Sequence, residues 1–219
     1  MFRCVIDDVN ICLDLIQDEY FLYSEKQSHW FELILRKSDR ECLCEAAQQF
    51  ADGLVSKGVL IEGSFVSVIT PAPPKTTESV YDNFSEATAF YDLRILPELI
   101  LSLAACRSLL RKHHLKKVVD QSIRWRRKVS YASDNDLDNV IRASREFHSW
   151  TPFFFTRHDA CMFRSLSLIR YLSLRGIKAD WVFGVRLCPF TAHCWVEFEN
   201  VVLDEYLDTT AEYKRIAVI

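Results

Sequence analysis

The chain has 219 residues, 49% of them hydrophobic and 26% charged, which is the composition of an ordinary globular protein. Its 27 basic and 30 acidic residues give a net charge of −3, so no general affinity for nucleic acid is expected. The first residues carry acids where a signal peptide carries basic residues. The longest apolar stretch, Ile95 to Cys106, contains Pro97 and Glu98 and is too short to span a bilayer. We therefore expect a cytoplasmic protein without a membrane partner.

The N-terminal part of the chain alternates short apolar segments with turn residues, a pattern typical of β-strands. Strands are predicted at Phe2–Ile6, Val9–Ile16, Tyr20–Tyr23 and Val59–Ile61. Two helices are predicted between the third and fourth strands: one begins after Ser24, where Gln27 completes a capping box, and one runs from about Arg40 to Lys57. Residues 1–68 are therefore predicted to form a small winged-helix-like module with an exposed edge strand.

A change of composition follows this module. Residues 69–80 contain three prolines with Thr76 and Thr77 nearby, which predicts a linker. Beyond it, helices are predicted at Leu99–His113, Leu115–Lys128 and Asp136–Phe147. Basic side chains crowd the first two of these helices, and two interpretations are open: a solvated helix face, or a contact for an anionic partner.

The C-terminal part combines a helix with antiparallel strands. The helix is predicted to begin at Asp159, to carry Cys161 in its first turn and to end at Arg175–Gly176. Strands are predicted at Ile177–Leu187, Thr191–Phe198 and Val201–Leu203. Residues 81–219 are therefore predicted to form a second domain of the α+β class.

Cysteine, histidine and acidic side chains in this second domain form a candidate catalytic set. Cys161 lies at a predicted helix N-terminus, where free N–H groups and the helix dipole favour a thiolate. His193, on the second strand, could take the thiol proton and later give it to a leaving amine. Asp204 or Glu205, on the third strand, could orient the imidazole. The order Cys, His, acid is that of transglutaminase-like and papain-like cysteine enzymes.

Strand geometry leaves the choice of acid open. Adjacent strand residues point to opposite faces, so only one of the two acids should face His193. A two-residue turn at Glu199–Asn200 would put Asp204 on the face of His193, whereas one further turn residue would put Glu205 there.

The other chemically reactive side chains have plainer interpretations. None of the eight cysteines falls in a CxxC pair, so no metal site is expected, and most should be small buried side chains. Cys194 should point to the face of its strand opposite His193. Arg164, one turn from Cys161, is either a substrate contact or a helix-surface charge, and His158 is expected to be incidental.

Four segments carry a family resemblance. They are Cys161–Leu168 (CMFRSLSL), Leu174–Ala179 (LRGIKA), Phe183–Arg186 (FGVR) and Pro189–Glu197 (PFTAHCWVE). From about Asp159 to its C-terminus, the chain resembles the lasso peptide maturation protease, the B protein of lasso peptide clusters. The N-terminal module resembles that family's leader-recognition element, a PqqD-like domain.

This resemblance implies a transglutaminase-like cysteine protease that carries its recognition element in the same chain. Such an enzyme removes the leader from a ribosomally made precursor peptide. By the resemblance, Cys161 and His193 are catalytic, and an ungapped register makes Glu205 the acid, where the family usually has Asp. The leader would bind along Tyr20, Phe21, Leu22 and Tyr23.

The resemblance also implies partners. An asparagine-synthetase-like cyclase would close the macrolactam after leader removal, and any use of ATP would belong to that partner. This chain has no Gly-rich phosphate loop, so we expect no cofactor in it. Two alternatives are kept: acyl or glutaminyl transfer on a similar fold, and a non-catalytic peptide-binding scaffold.

Overall fold

A computed structural model of the chain describes residues 1–36, 43–56, 76–82, 91–129, 136–155 and 161–219. The chain divides into two compact units, Met1–Ala72 and Pro73–Ile219. Within the described parts, no helix is both long enough and apolar enough to cross a membrane.

The first unit contains a three-stranded antiparallel sheet of β1 (Phe2–Ile6), β2 (Val9–Asp14) and β3 (Glu19–Leu22), in that order. Two helices follow, α1 (Glu25–Arg36) and α2 (Glu45–Ser56). The predicted capping box begins α1, because the Ser24 N–H donates to Gln27 Oε1 at 3.0 Å. The predicted fourth strand, Val59–Ile61, lies outside the described residues. The core of the unit is formed by Cys12, Tyr23, Phe31, Ile34, Leu43, Ala47, Ala51 and Leu54.

The second unit is built around one central helix. Its helices are α3 (Leu96–Lys112), α4 (Leu115–Lys128), α5 (Leu137–Phe154) and α6 (Cys161–Leu174). The other three helices pack against α6 from one side and the sheet packs against it from the other, so α6 is buried almost all round. That explains its apolar sequence, which has no strongly polar face. Helix α5 continues beyond the predicted end at Phe147, because the rings of Tyr81 and Tyr91 pack on His148 and Trp150.

The sheet of the second unit has five described strands. They are β4 (Glu78–Ser79), β5 (Asp180–Arg186), β6 (Thr191–Phe198), β7 (Val201–Val202) and β8 (Lys214–Val218), in the order β4-β7-β6-β5-β8. Only the β4–β7 pairing is parallel. A short helix, α7 (Leu207–Ala211), precedes β8. The mixture of helices and sheet is as predicted from the sequence.

Among the described elements of this unit, β4, α7, β8 and a 3₁₀ helix at Leu93–Ile95 were not predicted. Strand β4 lies within the stretch predicted as a linker, 69–80, so the end of that stretch is part of the sheet instead. Two backbone hydrogen bonds flank it, from Thr77 N–H to the Asn200 carbonyl at 3.0 Å and from Val80 N–H to the Val202 carbonyl at 2.9 Å. A two-residue strand has no periodicity to detect in sequence, and it exists here only through its pairing with β7.

Candidate active site

Cys161 is the first residue of α6, and its thiol is partly exposed. The sequence predicts a helix N-terminus here, where free N–H groups and the helix dipole favour a negative charge, and the preceding residues, 156–160, lie outside the described part of the chain. Helix α6 packs against β6, and this contact brings the sulfur within hydrogen-bonding reach of His193 and of Cys194.

His193 lies near the start of β6, and its Nε2 is 3.0 Å from Glu205 Oε2. Because Nε2 faces the carboxylate, Nδ1 is the ring nitrogen left for Cys161. The ring also packs beside Tyr213, with centroids 5.2 Å apart, and Trp195 lies behind it. Gly184, opposite His193 on β5, makes this packing possible, since a Cβ there would fall 2.7 Å from the Trp195 ring.

The acid in contact with His193 is Glu205, although the turn has the length that predicted Asp204. Phe198 pairs with Val201, so the turn between β6 and β7 has two residues. The alternation of strand faces, which predicted Asp204, does not apply here. The regular pairing of β7 with β6 ends at Val202, before Asp204 and Glu205. Asp204 is instead wholly buried, with Oδ1 accepting the Val196 N–H at 2.7 Å.

Side chains from α5 explain why the strand ends there. The carbonyl oxygen of Leu203, which would otherwise continue the ladder, accepts hydrogen bonds from Ser144 Oγ at 2.8 Å and from His148 Nε2 at 2.6 Å. Turning this carbonyl toward α5 leaves the Val196 N–H to the Asp204 carboxylate. The chain then leaves the strand direction, and the next side chain, Glu205, reaches His193.

The electrostatics favour an ion pair between the sulfur and the imidazole. Hydrogen bonds from the Cys194 and His193 side chains, together with the charge of His193, outweigh burial and lower the pKa of Cys161 to about 4. Burial lowers the pKa of His193, but the hydrogen bonds and charges of Cys161 and Glu205 outweigh it and raise that pKa to about 9. Between these values the pair is thiolate and imidazolium, the reactive form of a cysteine nucleophile.

The two neighbouring acids differ sharply in their environments. Burial raises the pKa of Glu205, but the hydrogen bond from His193 and the charge of Arg164 outweigh it, so the net shift is downward. Burial dominates at Asp204 and raises its pKa to about 7, against the opposing charge of Arg164. Glu205 is therefore the stably ionised carboxylate of the pair, as a partner of imidazolium must be.

Cys194 is more closely tied to the site than its expected role as a buried side chain implies. As predicted, its side chain points to the strand face opposite His193. Helix α6 covers this opposite face. The Cys194 sulfur lies 3.3 Å from Ser165 Oγ, which accepts a hydrogen bond from Trp181 Nε1 at 2.8 Å. Burial raises the pKa of Cys194, so it stays a thiol and donates to the Cys161 sulfur.

Arg164 has a contact that the sequence did not indicate. Its Nη2 lies 2.9 Å from Glu205 Oε2, so it contacts the candidate acid. Sequence reasoning also missed Ser79, Ser144 and His148, which hold the loop that carries Glu205. All of these contacts join residues far apart in the chain, so no local pattern marks them.

Other candidates lie elsewhere. Tyr20, Phe21 and Leu22, expected to bind a leader, belong to β3 of the first unit. His158 and Cys42 lie outside the described residues. In the part of the chain that the structure describes, no group of three or more His, Cys, Asp or Glu side chains is arranged to hold a metal ion.

Comparison with known families agrees with this geometry. The model of the transglutaminase-like superfamily matches residues 100–218, a span that holds Cys161, His193 and Glu205. Comparison with curated proteins and with solved structures gave no match. The family match covers more than half of the sequence, and so the chain belongs to the transglutaminase-like superfamily.

Proposed function

We propose that this protein is a cysteine leader peptidase of lasso peptide biosynthesis, which binds the leader of a precursor peptide and cleaves it from the core. The observation that carries the proposal is the contact between Cys161, His193 and Glu205. Members of the superfamily are mostly cysteine-dependent enzymes, which agrees with a thiolate nucleophile at Cys161.

The site offers a nucleophile, a general acid and a carboxylate that can support peptide cleavage. The Cys161 thiolate attacks the carbonyl carbon of the scissile bond, and the His193 imidazolium gives its proton to the leaving amine. The leader then remains as a thioester on Cys161 while the core leaves with a free amino terminus. His193, now neutral, takes a proton from water, whose oxygen attacks the thioester and releases the leader as a carboxylic acid. Glu205 stabilises the imidazolium in both steps.

The peptidase assignment is supported by the motifs as they lie in the fold. Three of the four segments that resemble the lasso maturation protease form the start of α6, the second half of β5 and most of β6, which are the elements around the site. Gly184, within one of these segments, leaves room for the Trp195 ring that packs against His193. We therefore assign the family's cleavage chemistry, with no cofactor in this chain, to this site.

Leader recognition is assigned to the first unit. Strand β3 lies at the end of the described sheet order, so its outer edge could accept a further strand. Such pairing would supply affinity through main-chain hydrogen bonds. The asparagine-synthetase-like cyclase remains the proposed partner that uses ATP, and the proposed compartment is the cytoplasm.

Incubation of the full chain with a lasso precursor, with and without its cyclase, tests this function. Mass spectrometry should show leader and core fragments with the native chain and none with Cys161→Ala, while both proteins bind the leader equally. The matched control is Cys188→Ala, which removes an exposed thiol and should leave cleavage intact. Leader joined to an added amine instead of to water would indicate acyl transfer, and release of core by Cys161→Ala would refute the nucleophile.

A further inference from the structure

We propose that Arg164 is a positioning residue of the catalytic set, acting through Glu205 to hold its carboxylate against His193. Arg164 follows Cys161 by one helical turn, so both side chains lie on the same face of α6. The Arg164 Nη2 atom is 2.9 Å from Glu205 Oε2, and His193 Nε2 is 3.0 Å from the same oxygen. The proposal rests on the proposed catalytic roles, but not on the identity of the substrate.

The carboxylate is held at both of its oxygens. Oε2 accepts from Arg164 and His193, and Oε1 accepts the Tyr206 N–H at 3.1 Å. Glutamate has one more rotatable bond than aspartate, and without such contacts its carboxylate would sample positions away from the imidazole. A charge-assisted bond from a guanidinium is well suited to selecting one position, because its donors lie in a rigid plane.

Arg164 is itself fixed in place. Its side chain is 23% exposed, and its guanidinium lies 5.9 Å from the centre of the Tyr81 ring. Burial lowers the pKa of Arg164, but the charges of Asp204 and Glu205 outweigh burial and raise it, so the group stays cationic. The half-buried cation thus faces one buried acid, Asp204, and one half-buried acid, Glu205.

Among the described residues, three groups near Glu205 outside the catalytic set have a pKa that burial shifts. Tyr81 keeps its proton, because burial raises its pKa, and His148 on α5 is neutral, because burial lowers its pKa to about 4. Asp204 changes charge near neutral pH, because burial raises its pKa to about 7. Losing Arg164 would favour protonation of Glu205, weaken the imidazolium of His193 and make the Cys161 thiolate harder to form.

Alkylation of Cys161 by iodoacetamide, followed against pH by peptide mass spectrometry, tests the proposal without any peptide substrate. Arg164→Gln should move the midpoint of the alkylation curve to higher pH by roughly one unit, which slows alkylation at pH 4 about fivefold. The exposed Cys44 and Cys188 report the intrinsic reaction in the same sample. Arg170→Gln, two turns further along α6 and packed on Trp125, is the matched control and should leave the curve unchanged.

A double-mutant cycle separates action through Glu205 from a direct effect of the charge. In the Glu205→Gln background, Arg164→Gln should add little, because the group through which it acts has been removed. If Arg164→Gln shifted the curve as much in the Glu205→Gln background as in the native chain, or shifted it in neither, the proposal would be overturned. Arg164→Lys repeats the comparison if Arg164→Gln does not fold, with a smaller shift that Glu205→Gln again abolishes. Because no precursor is used, failure here and failure of the peptidase assignment remain distinguishable.

Discussion

The hydroxyl of Ser79 lies 2.6 Å from the backbone carbonyl oxygen of Glu205, across 126 positions of sequence. Ser79 donates this hydrogen bond and its Oγ accepts another from the Tyr81 N–H at 2.9 Å. The strand that precedes the helices of the second unit therefore fixes the backbone of the candidate acid. The position of the Glu205 carboxylate depends on this strand as well as on Arg164.

Ser79→Ala should loosen the loop that carries Glu205. The change leaves the Glu205 carbonyl oxygen without its donor at a position that water reaches poorly. The free energy of unfolding should fall by about 1 kcal/mol. We expect a several-fold loss in the rate of Cys161 alkylation at pH 4, measured beside thermal unfolding. Ser173→Ala is the control, since that hydroxyl donates only within its own helix, to the Arg170 carbonyl at 2.7 Å. Equal alkylation rates in the two variants would contradict a role for β4 at the site.

The pH dependence of the reaction follows from the opposite pKa shifts of Cys161 and His193. The pKa of Cys161 is lowered to about 4 and that of His193 is raised to about 9, so the ion pair forms above the first value and is lost above the second. Peptide cleavage should therefore rise through pH 4 and fall through pH 9, as His193 loses the proton that the leaving amine needs. Alkylation should rise through pH 4 and stay high, since the thiolate persists.

His193→Asn should remove the low-pH reactivity. Without the imidazolium, the Cys161 pKa returns toward its ordinary range, and alkylation at pH 6 should slow about 100-fold. His148→Asn would be a poor control because it disturbs the loop at Leu203, so His29→Asn in the first unit is preferable. Fast alkylation at pH 6 in His193→Asn would mean that Cys194 and the helix terminus alone sustain the thiolate.

The sequence predicted those parts of the fold that local pattern determines. Helix α4 and strand β6 have the bounds that their periodicity predicts, and Cys161 begins a helix as its context indicates. These elements are long and amphipathic or strongly apolar, so neighbouring residues suffice to define them.

The contacts that select the acid could not be predicted in the same way. The turn length was foreseeable, but pairing ends at Val202 because Ser144 and His148, on another helix, take the Leu203 carbonyl. The role of Arg164 likewise depends on a residue 41 positions away. Long-range contacts of this kind leave no periodic trace, and it was the family register, not strand geometry, that favoured Glu205.

Strand addition at β3 predicts a specific effect of removing one backbone donor. The Tyr23 N–H donates to the Asn10 carbonyl, and pairs in an antiparallel ladder alternate, so the N–H and carbonyl of Leu22 point away from β2. Leu22→Pro should therefore weaken leader binding at least tenfold without breaking a β2–β3 hydrogen bond. Leu22→Ala keeps the N–H and is the matched control, measured by fluorescence anisotropy of a labelled leader. Equal affinities would exclude pairing at this edge.

The two acids give the sharpest test of the site. Glu205→Gln removes the charge that stabilises the His193 imidazolium, and the comparable change in serine proteases lowers turnover about 10⁴-fold. We expect a loss of roughly 10³- to 10⁴-fold in precursor cleavage, with leader binding unchanged. Circular dichroism and thermal unfolding would verify that the variant is folded.

Asp204→Asn is the matched control, because its amide oxygen can still accept the Val196 N–H. Cleavage should fall by less than about tenfold, since Asp204 does not contact His193. Its stability should change with pH in a defined direction. Burial raises the Asp204 pKa to about 7, so the protonated acid stabilises the native chain below pH 4 and this contribution is lost as the pH rises to 7. As the pH rises from 4 to 7, the unfolding temperature of Asp204→Asn should therefore increase relative to that of the native chain. A severe loss of cleavage in Asp204→Asn with nearly normal Glu205→Gln would reverse the assignment of the acid.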